Sequence, residues 1–319
     1  MLMLTLFFAC ARPAPPPPPP RDEPAMVRVD SGKLADRVTG GDGANFVLFY
    51  SSEERGSLEP CGCEKRALGG AARAESYRLA ARAADPAPAP WVDVGGWLDD
   101  PRGWSGASRP AALAGNRWMA TALAAMGVEA LNVGAVDVPG LLALGDTGLP
   151  LVSANMTVEG VTIAPFLIVQ HGDLRVGYTG LAEPPQTPID GLQARDPLRA
   201  GREVLAQLGR QADLIVLMSF HASEAAAKLV RELPIDIVID AHSHGALFQP
   251  FREGHALWVR SLDHGAGLGE LRMGLDAGDL RWALERKIDL DPTLPDDPAI
   301  RDLTRQAADE IERAGGPGL

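Results

Sequence analysis

Positive charge is in deficit in this chain. Its 30 Lys and Arg stand against 42 Asp and Glu, for a formal net charge of -12. That balance argues against a nucleic-acid partner, because phosphate backbones are held by clustered cations. It says little about a substrate, since net charge bears mainly on solubility and steering. Aromatic residues are scarce at 5%. No apolar run reaches the roughly 18 residues that a membrane-spanning helix requires. There are 3 cysteines and 6 histidines, with no Cys-x-x-Cys-His for haem and no four-ligand zinc spacing. No internal repeat is strong enough to build on.

What is present reads as globular: 46% hydrophobic and 23% charged residues over 319 positions, enough for one large α/β domain or two ordinary ones. Residues 1–10, MLMLTLFFAC, are nearly all apolar and stop at Cys10. They fit a short signal-peptide core without a basic start. Phe7-Phe8-Ala9-Cys10 resembles a bacterial lipoprotein processing site, although the two Phe depart from the usual residues there. Cys10 is accordingly the candidate lipidation site. The folded part is then expected at the cell envelope, anchored to a bacterial membrane and facing periplasm or exterior. The alternative is an uncleaved apolar tail. Residues 11–20, ARPAPPPPPP, read as polyproline II spanning about 30 Å. The whole of 11–43 is expected to be a disordered linker, with a domain over 44–290 and a polar helical tail over 291–319.

Within that domain, 45–50 (NFVLFY) reads as a buried strand, followed by a loop through Cys61 and Cys63. Gly69-Gly70 opens a helix. Further strands are predicted over 91–96, 130–133 and 149–155, and a helix around 116–126. A hairpin over 161–179 turns at His171, which is read as solvated, like His255. A helix over 198–208 leads to a strand over 213–219, and a helix over 222–232 to the strand of IDIVIDAHSHG. Three antiparallel strands, over 257–261, 268–275 and 280–288, close the domain, whose class is mixed α/β.

The stretch IDIVIDAHSHG carries the clearest chemical signal. A β-branched run ends at Ala241, and His242 and His244 follow at the carboxyl end of the strand, where ligands collect in α/β sheets. Two imidazoles at i and i+2 can converge on a metal ion or a phosphate, or can hydrogen-bond in a polar loop. Cys61-Gly62-Cys63 is the second signal. It is a disulfide candidate in an oxidising compartment, a soft-metal site, or a pair of free thiols.

The segments LPLVSANMTVEG, FLIVQHGDLRVGYTGLAEP, ADLIVLMSFH, IDIVIDAHSHG and HGAGLGELRMGL follow one another as in the catalytic domain of 5'-nucleotidases. The chain resembles that branch of the calcineurin-like metallophosphoesterases from about Phe46 to Ile288. The resemblance implies a four-layer αββα sandwich, two mixed sheets flanked by helices. It also implies two divalent metals at the strand ends, activating a water for attack on phosphorus.

The family's ligand motifs are only partly kept. Ala241-His242-Ser243-His244 preserves the last. His221 corresponds to the lone His, with Phe220 the alternative occupant of that position. Glu53 and Arg55 replace Asp and His after the first strand, Gly96 replaces the bridging Asp, and Ala135 and Val136 replace Asn and His. Gly, Ala and Val donate nothing to a metal, and two dications without bridging carboxylates repel each other. A single ion, Zn or Mn, on His221, His242, His244 and Glu53 is the expectation. Arg55 would equally suit an anion. Asp93, Asp99 and Asp137 align with no ligand and are read as solvated acids. His264, before a glycine-rich turn, is a further candidate beside Arg55 for a catalytic role.

The resemblance stops short of the family's second domain, which carries the base-stacking aromatics, so it implies neither nucleotide specificity nor a nucleotide cofactor. The expected function is an envelope-anchored metallophosphoesterase-like protein whose hydrolase activity is weak, altered or lost, with a phosphate-bearing small molecule as ligand. A non-catalytic binding or scaffold protein using the same cleft, and a redox or metal-handling protein built on Cys61 and Cys63, are the alternatives. The sequence does not name a protein partner.

Overall fold

The computed structural model describes residues 23–60, 67–102, 108–241 and 249–316. The first half of the chain runs β1 (Ala25–Val29), α1 (Leu34–Arg37), β2 (Phe46–Ser51), α2 (Ala71–Ala84), β3 (Trp91–Asp93), α3 (Arg109–Met126) and β4 (Ala130–Asn132). Then come α4 (Val138–Leu144), β5 (Leu151–Val152), β6 (Met156–Val158), β7 (Leu167–His171), β8 (Leu174–Ala182), β9 (Leu192–Ala194) and α5 (Pro197–Leu208). The last part is β10 (Leu214–Phe220), α6 (Ser223–Leu229), β11 (Ile237–Ala241), β12 (Phe251–Glu253), β13 (Ala256–Arg260), β14 (Gly267–Asp276), β15 (Asp279–Asp289) and α7 (Pro298–Arg313).

Two large sheets result, one of seven strands in the order β1-β15-β14-β2-β3-β4-β5 and one of six in the order β12-β13-β11-β10-β8-β7, with β6 and β9 forming a small two-stranded sheet. The two large sheets pack face to face. Phe46, Leu48 and Tyr50 of β2 meet Tyr178, Val216 and Ile239 of the second sheet in a common core. Val47 and Phe49 point the other way, toward Tyr77, Met119 and Leu123 of α2 and α3. A strand buried on both faces must be apolar throughout, which is why FVLFYS lacks polar alternation. Leu217 and Val238 pack outward on Leu205, Leu208 and Leu229 of α5 and α6. The architecture is the expected four-layer αββα sandwich.

Helix boundaries follow from capping chemistry. Ser108, Asp196 and Asp297 each accept a hydrogen bond from a first-turn backbone N–H, and each is followed by Pro in the first turn. Asn132 ties the two sheets together. Its Nδ2 donates to Val94 O at 2.9 Å and to Leu181 O at 3.1 Å. Gly180 makes room for it: a methyl group there would stand 1.9 Å from Asn132 Oδ1.

Three expectations change, and a fourth is refined. The segment assigned to a linker up to residue 43 contributes β1, paired in parallel with β15, and α1. Arg28 bonds Asp289 at 2.7 Å, and buried Arg37 bonds Asp291 at 2.6 Å, so tertiary partners order a stretch with little local propensity. The strand over 257–261 runs parallel to β11 rather than antiparallel; its antiparallel partner is β12. The last helix keeps the expected solvated face but buries Ile300, Thr304 and Ala307 at helical spacing on the other. His171 is not simply solvated either, since its Nε2 lies 2.9 Å from Glu129 Oε1.

Candidate functional site

The parallel strands β2, β3, β4, β10 and β11 present their carboxyl ends to one cleft, where ligands gather in open α/β sheets. Glu53 and Arg55 leave β2, and their N–H groups donate to Gly95 O and Gly96 O, both at 3.0 Å. His221 leaves β10, and its N–H donates to Ala241 O at 3.1 Å. The side chains then converge. His221 Nε2 lies 3.3 Å from Glu53 Oε1, and Arg55 Nη2 lies 3.6 Å from Glu53 Oε2. His264 shares a cavity wall with Glu53 and Arg55. His242, His244, Cys61, Cys63 and Cys10 lie outside the described residues.

The backbone marks the same residues. Among those described, five non-glycine residues have positive φ, and four of them are Glu53 (60°), Arg55 (51°), His221 (55°) and His264 (56°). The fifth, Ala277 (51°), belongs to the turn joining β14 and β15. A left-handed conformation costs an L-residue roughly 1–2 kcal/mol, and such strain gathers at functional sites because the surroundings must enforce it. The four residues singled out by sequence thus occupy the strained positions at the strand ends.

Buried acids surround them. Burial raises Glu53, but the His221 hydrogen bond and the charges of Arg55, His221 and His264 outweigh it and hold the carboxyl below its ordinary range. Burial pushes Glu54 up. Asp93 goes well above the carboxylate range through burial and then the neighbouring Glu54 charge. Asp93 accepts from Ser51 Oγ at 2.8 Å and Gly95 N at 2.9 Å. Asp137 accepts from the backbone N–H groups of Gly96, Leu98 and Gly134 at 2.8–2.9 Å, and burial raises it to about 7. Asp93 and Asp137 are 0% exposed and Asp99 is 8% exposed. The reading of all three as solvated acids is therefore corrected. Short strand-end loops leave N–H groups that need an internal acceptor, and Asp93 and Asp137 supply it.

The sequence left Phe220 and His221 as alternatives for one position, and the structure separates them. The imidazole turns to Glu53, while the Phe220 ring, 3% exposed, lies against the glycines ending β3 and β4. A Cβ on Gly95 would meet that ring at 3.0 Å, on Gly96 at 3.0 Å, and on Gly134 at 2.7 Å. Sequence reasoning missed this, together with the Glu54–Asp93 pair. The available signal was the coincidence of glycines at two adjacent strand ends with an aromatic residue at a third.

Two face-to-face sheets between helical layers, with the cleft at the parallel strand ends, define the metallophosphoesterase sandwich as found in the catalytic domain of 5'-nucleotidases. A 5'-nucleotidase precursor from Thermus thermophilus superposes with a TM-score of 0.66 at 21% identity, over 84% of this chain and 59% of that one. The NAD nucleotidase NadN of Haemophilus influenzae gives 0.68 at 14% identity, over 84% of this chain and 60% of that one. The sulfate thiohydrolase SoxB of Thermus thermophilus, in complex with glycerol, gives 0.64 at 16%, over 85% and 61%. At these identities the likeness is one of fold. The chain spans about three-fifths of the length of these proteins. No family model and no curated protein sequence matches the chain.

The fold implies a pair of divalent metals at this point, and the residues present do not fit a pair. Gly96, Gly134, Ala135 and Val136 offer no donor side chain, and the Phe220 ring fills the space beside Gly96 and Gly134. Among the described residues no group of three His, Cys, Asp or Glu side chains is arranged to hold an ion. Glu53 and His221 are neighbours, as a one-metal site would require, and the remaining two expected ligands fall outside those residues.

Proposed function

We propose that this is an envelope-anchored protein of the metallophosphoesterase fold that binds a phosphate-bearing small molecule in the cleft and hydrolyses phosphoesters weakly or not at all. The supporting observation is the Phe220 ring seated against Gly95, Gly96 and Gly134. A phenyl group stands where a hydrolase of this fold needs charged ligands. It can neither position a nucleophilic water nor offset charge on phosphoryl oxygens. Losing one such stabilising group typically costs a hundredfold or more in rate, and the losses do not simply multiply. Arg55, with its guanidinium at the cleft beside Glu53, is the residue proposed to meet an anion. Anchoring rests on lipidation of Cys10, with the proline tract as a spacer of about 30 Å.

The test is steady-state hydrolysis of a nucleotide monophosphate and of p-nitrophenyl phosphate with Mn²⁺ or Zn²⁺ supplied, alongside metal content per chain. Negligible turnover is expected. Turnover near the enzyme median of about 10 per second, abolished by His221→Ala, would overturn the reading. Intact mass of the membrane-bound form checks the anchor; a chain still carrying Met1 refutes it.

A further inference from the structure

We infer that Asn116, buried in α3, is a positioning residue for Arg55: it fixes the loop after β3 on which the backbone of Arg55 and Gly56 hangs, and so places the guanidinium that meets an anion. This rests on the reading of Arg55 given above. The Asn116 side chain is 0% exposed and belongs to the helical layer.

Residues 96–99 form neither strand nor helix, yet they are buried. Their backbone polar groups therefore need partners from elsewhere. Two side chains supply them. Asp137 accepts from Gly96 N and Leu98 N, both at 2.9 Å. Asn116 takes the next residue at both ends: its Oδ1 accepts from Asp99 N and its Nδ2 donates to Asp99 O, each at 2.8 Å. The segment held in this way gives its own carbonyls to the loop after β2. Gly96 O accepts from Arg55 N at 3.0 Å, and Trp97 O accepts from Gly56 N at 2.9 Å.

Among side chains of this size, only asparagine both accepts and donates here. Ionised Asp cannot donate to a carbonyl, and Leu does neither. Packing leaves the amide no second position. A Cβ on Gly56 would stand 2.9 Å from Asn116 Oδ1, and one on Gly140 of α4 would stand 2.9 Å from Nδ2. The preceding residue, Gly115, lets Gly56 O come close, since a methyl there would lie 3.1 Å from that oxygen. Arg55 (φ 51°) and Gly56 (φ 73°) are both left-handed, a conformation that arginine keeps only where its surroundings enforce it. Without the amide that enforcement weakens, and the loop can relax and carry Arg55 away from Glu53, now 3.6 Å off.

The experiment reads two signals on the full chain: calorimetric affinity for inorganic phosphate, and the Nε–Hε resonance of Arg55, assigned by its loss in Arg55→Ala. Asn116→Ala should move that resonance toward the position of solvent-exposed arginines. It should also weaken phosphate by at least about tenfold, the worth of one hydrogen bond to a charged group. Leu205→Ala truncates a core residue of α5, on the far helical layer, and should move neither signal. Gly115→Ala keeps the fold, because alanine is the better helix former, and should still shift the resonance by crowding Gly56 O. An unchanged resonance or an unchanged affinity in Asn116→Ala would overturn the assignment, as would equal displacement by Leu205→Ala. Should Asn116→Ala not fold, an unchanged resonance in Gly115→Ala overturns it instead. Phosphate binding that is absent from the wild type, or that survives Arg55→Ala, would fail the reading of Arg55, and the resonance alone then decides the positioning.

Discussion

The packing of Phe220 on glycine can be tested as a double-mutant cycle. In Gly134→Ala the new methyl would stand 2.7 Å from Cδ1 and 2.8 Å from Cε1 of the ring, with Asp137 Oδ2 at 3.2 Å. Carbon atoms in good contact are about 3.5–4.0 Å apart, so the ring or the loop must shift by most of an ångström. Gly134 has no positive φ, so the effect is steric rather than conformational. Overpacking of this kind costs about 1–3 kcal/mol. Phe220→Ala alone should cost about 3–5 kcal/mol, as expected for truncating a buried Phe. In the Phe220→Ala background the methyl enters vacated space, and the Gly134→Ala penalty should fall to near zero.

The coupling energy is therefore expected at about 1–3 kcal/mol, read from urea unfolding of the four proteins at about 25 °C. A Gly134→Ala cost that agrees in the two backgrounds to within about 0.5 kcal/mol, the limit for independent sites, would refute the packing. Gly96 supplies a contrast. Its φ is +78° and its Cβ would also meet the ring, at 3.0 Å. Alanine there should stay destabilising by about 1 kcal/mol or more without the ring, because the left-handed backbone penalty remains.

Two further outcomes are expected away from the cleft. Burial raises Asp236 to about 6, with Asp279 adding to the shift and the Ile215 N–H and His255 opposing it; the folded protein therefore keeps this proton to a higher pH than the unfolded chain, and stability from this group falls as pH rises from about 4 to about 6. Asp236→Asn should flatten that part of the profile, by about 1–2 kcal/mol in urea unfolding at several pH values, and an unchanged slope would count against it. Asp297 caps α7 by accepting from Ile300 N at 2.9 Å; Asp297→Ala should cost about 1 kcal/mol and lower the thermal midpoint by about 2 °C, and no loss would mean that α3 packing alone fixes the helix start.

What the sequence made legible was whatever is written locally. The apolar runs of β2, β10 and β11 announce strands buried on both faces, and the ordered motifs place Glu53, Arg55 and His221 at strand ends. By contrast, AMVRV of β1 finds its partner in β15, from Ala25 opposite Leu284 to Val29 opposite Ile288. No local pattern reports a pairing across that distance. The apolar stripe of α7 was present in Ile300, Thr304 and Ala307 but was obscured by the charges between them. Phe220 and His221 were ambiguous because neighbouring strand residues face opposite ways, and a one-residue difference in register decides which enters the cleft. The buried state of Asp93 and Asp137 depended on which backbone N–H groups the loops would leave unpaired, a property of the folded loops rather than of their composition.

The strand order also sets a timetable for synthesis. β2 is completed on one side by β14, and Asn45 waits for Leu275, 230 residues further along the chain. At about 5–20 residues per second, roughly ten to fifty seconds pass between the emergence of the two. Throughout that interval the nascent chain carries an apolar strand with one edge open, the condition that invites pairing with other chains. β1 waits longer still, for β15. Its pairing can therefore only follow the synthesis of residues 284–288, and contacts of such long sequence separation put this fold among the slow ones.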